Sequence, residues 1–593
     1  MSAKEILMSD IIAKKRYLDW TENSAFDEAT RDELKAIAGD KVQIEDRFYQ
    51  DLQFGTAGLR GIMGAGSNRM NIYTVARAAA GFAESIKQQG EEAAGKGVAV
   101  SYDSRNNSRL FAELAARIFV SRGLTVHFSD ELRPVPLLSF AIRYFDCAGG
   151  VMITASHNPK EYNGFKAFAA DGAQLGPDAA DSVSAEMDKI TDLPGVIADS
   201  LSMEEARHCP LWHDMGADLD AAYDEALLQI SLQADLVAEY ADIPIVYTPL
   251  YGAGNKPVRR ILEKTGFKNV HVVKEQELPN GNFPSTPFPN PELPETLNLA
   301  IELAKELKAP LVMATDPDAD RVGIAVPKED GSYYTLLGNE IGILLLEYIL
   351  TTKKNLGILP ENSFVVSSIV SGRLTDKICA AYDCDLYRVL TGFKFIAEAI
   401  HEHEDLGDGK FQFGYEEAFG YLAGSSVRDK DAVVSSMLLA EMAAVAAKDG
   451  ETLLDRLNRI YAVYGYAAEN TVSIVREGKS GSEMIKNTMS ELRSDPFDKF
   501  HALPIENLSD FEKLIRIDVA SNEETVLDYD QSNVLLYEME GIDFFCIRPS
   551  GTEPKIKIYF GCYADTQEEC DKNLELLSET VLHRIECLMG KDA

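Results

Sequence analysis

Three times along this chain short apolar strands alternate with amphipathic helices, and that rhythm limits the fold more than any other feature. The helix-like run YTVARAAAGFAESIKQQ (73–89) precedes the strand GVAVSYD (97–103), and SRLFAELAARIFVSRG (108–123) precedes TVHFSD (125–130). The rhythm returns at 243–275 as IPIVYT, the Gly-rich loop PLYGAGN, KPVRRILEKTG and NVHVV. It appears again from 363 as SFVVSSIV, SGRLTDKICAAYD, LYRVL and TGFKF. Such alternation specifies α/β layers with loops at the strand ends. From about residue 460 the style changes to strands (TVSIV, LIRIDVA, NVLLYEME, DFFCIRPS, KIKIYFGCY) and a closing amphipathic helix, which reads as an α+β domain. Residues 1–50 read as two polar helical segments, and the Pro- and Asn-dense stretch 280–295 as an irregular loop. A chain of 593 residues is too long for one core, so several domains are expected.

The formal net charge of −37 disfavours nucleic acid and anionic membranes as partners. The most apolar runs are interrupted by Glu347 and Glu441, so neither is expected to span a bilayer. The N-terminal stretch shows no signal-peptide core. Eight scattered cysteines without a Cys-x-x-Cys pair fit reduced thiols acting as small buried hydrophobes in a cytoplasmic protein. His401 and His403, in a polar run with no third ligand type nearby, read as solvated surface.

Against this acidic background a few stretches carry chemistry. In VMITASHNP (151–159) an apolar strand runs into Ser156 and His157, either a plain turn or a serine displayed because it carries a reacting group. In LVMATDPDADRVGIAV (311–326) two apolar strands flank Asp316, Asp318 and Asp320. Alternate residues of an extended segment share a face, so these carboxylates converge. They repel unless a cation sits among them, and oxygen-only ligands suit Mg²⁺. A solvated acidic turn fits poorly between apolar strands, and a calcium loop lacks its Gly and later Glu. CIRPSGTEPKIK (546–557) combines Arg548, hydroxyls, a glycine and two lysines on one strand face, either an anion grip or a surface turn. FGTAGLRG (54–61) frees the backbone around Arg60. GYEEAFGY (414–421) pairs acids in a Gly-bounded loop able to accept sugar hydroxyls or simply to face solvent. A displayed serine, a metal loop and a basic loop together fit metal-assisted phosphoryl exchange.

These motifs resemble the α-D-phosphohexomutase family. TASHNP is similar to its phosphoserine loop, DPDADR to its magnesium loop, GYEEAFG to its sugar loop and RPSGTEPK to its distal phosphate loop, while FGTAGLRG and TGFKF match two further elements. They follow the family's order from about residue 50 to 560. The resemblance implies four domains around a central active-site cleft: three similar α/β/α units with mixed sheets and a C-terminal α+β domain. The bounds expected are 1–210, 211–332, 333–458 and 459–593.

It also implies roles. Ser156 would be the phosphoserine and a metal ligand beside Asp316, Asp318 and Asp320. Arg321 would hold the transferring phosphate, and His157 and Lys166 are candidates for acid–base help. Arg60 would meet the sugar phosphate near the nucleophile. Thr391, Gly392 and Lys394 would lie against the sugar, Glu416 would accept its hydroxyls, and Lys430 would touch substrate. Arg548, Ser550, Gly551 and Thr552 would hold the phosphate that is not moving.

The implied reaction interconverts glucose 1-phosphate and glucose 6-phosphate through a phosphoserine, with Mg²⁺ and glucose 1,6-bisphosphate as activator and intermediate. The partners implied are small-molecule sugar phosphates, and the state a monomer or homodimer. Glucose-specific members usually carry Glu-x-Ser in the sugar loop, whereas Ala418 takes the serine's place here. KEYNGFKAF is closer to the subgroup of phosphopentomutases and phosphoglucomutase-2-like enzymes. Phosphopentomutase, phosphomannomutase and glucose-1,6-bisphosphate synthase are the alternatives.

Overall fold

The computed structural model describes residues 3–55, 58–476, 478–497, 505–550 and 555–590. It divides into two compact units. The first runs through Gly338 and takes in Ala418–Leu453; the second is Asn339–Glu417 and the chain from Leu454 onward.

The first unit contains two sheets built on one plan. In the larger, the order is Leu59–Ile62, Tyr162–Ala169, Gly149–Ile153, Val98–Tyr102, Val126–Ser129, Trp212–Met215. The last four are parallel, and Tyr162–Ala169 folds back antiparallel on Gly149–Ile153. In the smaller, Ile245–Thr248 lies parallel to both Val270–Val272 and Leu311–Thr315, and Val322–Pro327 folds back antiparallel on Leu311–Thr315. The central strands are buried along their whole length, as helices on both faces require. Each fold-back places a loop at the carboxyl end of a parallel strand, the usual binding edge of such sheets. One loop carries Ser156 and the other the three aspartates.

In the second unit, Asp385–Val389, Ser363–Ser368 and Lys410–Glu416 are parallel. A seven-stranded antiparallel sheet runs from Tyr466–Val475 to Lys555–Ala564 at one end and to Glu524–Val526 at the other. Its period-two pattern sorts side chains by face. Ile556, Ile558 and Phe560 pack with Met489, Leu492, Leu577, Val581 and Ile585 of the helices Gly478–Ser494 and Gln567–Leu588. Tyr559, Cys546 and Leu536 pack with Ile369, Val370 and Leu390 on the other side.

The N-terminal stretch forms three helices rather than two: Ala3–Glu22, Glu28–Ala36 and Lys41–Phe48. Asp27 and Asp40 each restart the helix by accepting a backbone N–H, from Thr30 and Gln43. The helices are not wholly polar, because Trp20, Phe26, Leu34 and Phe48 build a small core with Tyr73. His403 also departs from expectation. It stacks on Tyr387 at 4.1 Å and pairs with Asp408 at 2.8 Å, so it is half-covered, while His401 is exposed. The free cysteines are buried except Cys209, which is partly covered, and Cys587, which is exposed.

The apolar run around Glu441 is the helix Ala432–Asp449, buried nearly all round. Glu441 is tolerated there because it accepts from Leu232 N at 2.9 Å and from the Ser231 hydroxyl. Among the described residues no helix is long and apolar enough to cross a membrane.

Asp431 caps that helix, accepting from Val433 N at 2.9 Å, Val434 N at 3.0 Å and the Tyr223 hydroxyl at 2.8 Å. Burial outweighs these bonds and pushes its carboxyl up to about 6 from 3.8. The group therefore costs nothing below pH 3.8, and stability falls as pH rises from there to about 6. Asn keeps the cap, so Asp431→Asn is expected to match the wild type in acid. At pH 8 it should exceed it by up to about 3 kcal/mol in urea unfolding.

Candidate active site

The strand Gly149–Ile153 leads to Thr154 and Ala155, and the chain turns at Ser156 through a left-handed φ of 51°. A non-glycine residue there costs about 1 kcal/mol and is held only where the surroundings dictate it. The surroundings here are explicit. Ser156 N donates to Thr154 Oγ1 at 2.8 Å, and the Ser156 hydroxyl donates to Asp316 Oδ2 at 2.7 Å. His157 Nδ1 lies 3.1 Å from Ser156 Oγ. The fold-back strand comes close because Gly164 has no side chain; a Cβ there would stand 2.5 Å from Thr154 O. The aspartate loop and the GYEEAFG loop each turn through one left-handed residue too, Ala319 at 48° and Phe419 at 63°.

Two residues that sequence reasoning passed over build the support. Arg105 is fully buried and donates to the carbonyl oxygens of Ser156, Asn158 (2.5 Å), Pro159 (2.9 Å) and Tyr162 (3.3 Å). Asp103, also fully buried, pairs with Arg105 at 3.3 Å and accepts from the Thr154 and Ser108 hydroxyls at 2.6 Å each. Both sit at the carboxyl end of a parallel strand, Val98–Tyr102, so their position in the repeating pattern was the signal that could have found them.

Asp316, Asp318 and Asp320 converge, each offering an oxygen within 4.8 Å of the others, all three buried, but through a tight turn closed by Ala319 N donating to Asp316 O at 2.9 Å rather than through the extended segment expected. Asp318 Oδ1 and Asp320 Oδ1 are buried without a hydrogen-bond partner among the described residues. Orphaned acceptors cost free energy unless something electrophilic meets them, so this donor set fits a divalent cation with hard oxygen preference. Burial, with Asp318 and Asp320 alongside, pushes the Asp316 carboxyl well above its ordinary range. Burial acts on Asp320 as well, yet Lys430, Lys166 and Arg321 hold it well below the carboxylate range. Lys166 Nζ donates to Asp318 Oδ2 at 2.8 Å and Asp320 Oδ2 at 3.3 Å. Burial alone would lower its pKa, but these carboxylates hold it above its ordinary value.

Arg60, on the strand Leu59–Ile62, donates to Asn158 Oδ1 at 3.3 Å. Lys430 comes to the metal loop, with Nζ 2.8 Å from Asp429 and 3.4 Å from Asp320. Arg321 N donates to Asp316 Oδ1 at 3.1 Å while its guanidinium pairs with Glu292, a residue the sequence reading left in an irregular loop.

In the second unit Glu416 is buried and accepts from Gly392 N at 2.6 Å, so the strand end at Glu416 and the Thr391–Gly392–Lys394 turn meet. The Thr391 hydroxyl has no hydrogen-bond partner among the described residues. Lys394 Nζ stands 4.5 Å from the Phe395 ring centroid, and burial lowers its pKa. Burial next to Glu416 pushes Glu417 up to about 7, against the pull of Lys557. Arg548 pairs in register with Lys557 and reaches Tyr559 Oη at 3.5 Å, and Ser550 N donates to Lys555 O at 2.8 Å. Gly551 and Thr552 lie outside the described residues. Ala418 begins the returning segment of the first unit.

Three α/β/α units, an antiparallel C-terminal sheet and an acidic triad suited to a metal define an enzyme of the α/β class. Models of phosphoglucomutase/phosphomannomutase α/β/α domains I, II and III match residues 51–193, 221–331 and 337–464. A phosphoglucomutase of Staphylococcus haemolyticus is 36% identical over 534 residues, 89% of this chain and 94% of its own. One from Staphylococcus epidermidis is 37% identical over 517 residues, 87% and 91% of the two chains. The crystal structure of Paramecium pp63/parafusin, a phosphoglucomutase, superposes with a TM-score of 0.67 at 18% identity, over 92% of this chain and 96% of that one. The chain belongs to the α-D-phosphohexomutase (phosphoglucomutase/phosphomannomutase) family, and it is an isomerase of the intramolecular phosphotransferase kind.

Proposed function

We propose that this enzyme interconverts α-D-glucose 1-phosphate and glucose 6-phosphate through a phosphoserine at Ser156 and glucose 1,6-bisphosphate. The observation that carries the reading is the Ser156 hydroxyl, 2.7 Å from Asp316 in the carboxylate triad and held in a left-handed turn. The staphylococcal relatives, named phosphoglucomutase, support glucose as the sugar.

Asp316, Asp318, Asp320 and Ser156 would hold Mg²⁺, which when bound supplies Lewis-acid neutralisation of phosphoryl oxygens. His157 Nδ1, 3.1 Å from Ser156 Oγ, would take over the hydroxyl proton, which Asp316 accepts in the metal-free site, once that carboxylate holds the cation. Lys166, held as a cation by two carboxylates, serves as donor to the reacting oxygen. Arg321 and Arg60 steady the moving group. Thr391, Lys394 and Glu416 grip the sugar in either orientation, and Arg548 with Ser550 anchors the other phosphate. Water must be kept away, since it would hydrolyse the phosphoenzyme.

Arg548→Ala is expected to raise KM for the sugar phosphate about 10- to 100-fold, the worth of a charge-assisted bond, with a smaller change in kcat. Initial rates with Mg²⁺ on glucose, mannose and ribose 1-phosphates, each with its own bisphosphate, test the substrate. Glucose 1-phosphate should give the highest kcat/KM. A higher value for ribose 1-phosphate would assign the enzyme to pentoses, the reading that Ala418 in place of serine favours.

A further inference from the structure

The Pro- and Asn-rich stretch 280–295 has no part in the reaction above, yet it delivers one carboxylate to the metal loop. Glu292 N donates to Asn290 Oδ1 at 3.1 Å, and Leu293 N closes a turn on Asn290 O at 3.0 Å. Pro291 presses on the strand that leaves the metal loop. A Cβ on Gly323 would stand 2.8 Å from Pro291 O, so glycine admits the approach. Glu292 thereby pairs with Arg321 Nη1. Arg321 itself is anchored beside the triad by its backbone bond to Asp316, with Nε 3.8 Å from Asp320 Oδ1. The pair keeps contact with solvent, the side chains being 18% and 27% exposed, whereas Lys166 and Asp318 in the same site are 5% and 0% exposed. A half-open ion pair beside a sealed one is the member that can exchange partners.

We propose that Glu292 is a positioning residue acting through Arg321. It occupies the guanidinium while Ser156 carries a free hydroxyl, and yields it to the phosphoryl group when Ser156 is charged. The inference rests on the phosphoserine reading of Ser156. A phosphoryl group brings about −1.5 to −2 charges and three acceptor oxygens, and so outcompetes one half-exposed carboxylate for the guanidinium fork. The competition still counts. Glu292 makes the charged serine less stable than Arg321 alone would, which keeps the phosphoryl group ready to leave toward either end of the sugar.

The test uses the Mg²⁺-loaded enzyme equilibrated with radiolabelled glucose 1,6-bisphosphate and glucose 6-phosphate at a fixed ratio, with the labelled fraction of Ser156 as readout. Glu292→Gln removes the competitor and is expected to raise the ratio of phosphorylated to free enzyme about tenfold. In an Arg321→Ala background the same substitution should shift nothing, since Glu292 acts only through that residue. Glu292→Asp withdraws the charge by one methylene and should raise the ratio by a smaller factor, which serves if the Gln variant folds poorly. An unchanged or lowered ratio in the variants, or a shift that persists without Arg321, overturns the proposal. Failure of the wild type to take up label would reject the phosphoserine reading itself.

Discussion

Ser156→Ala is expected to fold normally and to lose at least about four orders of magnitude in turnover. The substitution removes one oxygen and leaves the backbone as it was. Alanine carries the same Cβ through the left-handed turn at φ 51°, so the strain of that turn is unchanged. The lost bond is the one to Asp316 Oδ2 at 2.7 Å, and the contact with His157 goes with it. A bond of this kind is worth about 1 kcal/mol net, and its removal relieves no packing, so melting temperature should move little. Chemistry has no such tolerance. On the proposed reading the serine gives its phosphoryl group to the sugar, the bisphosphate turns round, and the serine takes the other phosphoryl group back, so each cycle begins and ends on this one oxygen. The nearby Thr154 hydroxyl cannot stand in, because it is fully buried and committed to Asp103 at 2.6 Å and Asp318 at 3.1 Å. The variant should take up no label from radioactive bisphosphate. Mutase activity near the wild-type level would remove Ser156 from the reaction.

Asp316→Asn is expected to lower kcat by about two to four orders of magnitude and to uncouple stability from the metal. The three carboxylates are buried within 4.8 Å of one another, and in metal-free protein they repel. Mg²⁺ should therefore raise the melting temperature of the wild type, and a chelator should lower it and abolish activity reversibly. The amide that replaces the carboxylate can still accept from Arg321 N and meet Ser156 Oγ, so local geometry survives while one negative charge is gone. Metal-free variant should then be more stable than metal-free wild type, by about 1–3 kcal/mol, and should gain little from Mg²⁺. Melting curves with and without chelator measure both terms. A variant that responds to Mg²⁺ as fully as the wild type would place the cation elsewhere.

These two residues and the Glu292–Arg321 pair mark where local reading reaches and where it stops. Ser156 and Asp316 stand in short contiguous stretches whose meaning is carried by neighbours in the chain. The buried strand before each, the alternation of carboxylates and the turn after them all show in the residues themselves. Glu292 reads as one more acid in a loop. Its role depends on Pro291 meeting Gly323, a contact between segments well apart in the chain that no periodicity announces. His403 looked solvated for the same reason, since the rings of Tyr387 and Phe364 that cover it come from two other elements, both strands.

The α/β repeat, the strand-rich α+β ending, the acidic loop and the family were legible in the residues alone, because strand and helix periods and contiguous loops are local properties of the chain, whereas the antiparallel pairing of that ending came from the fold. Tertiary structure alone decided which charges meet. It placed Lys430 on Asp320, Arg105 and Asp103 under the Ser156 loop, and the segment Ala418–Leu453 with the first unit. Ion pairs and buried polar networks form wherever packing brings their members within a few ångströms, and that distance is set by the whole fold rather than by spacing along the chain.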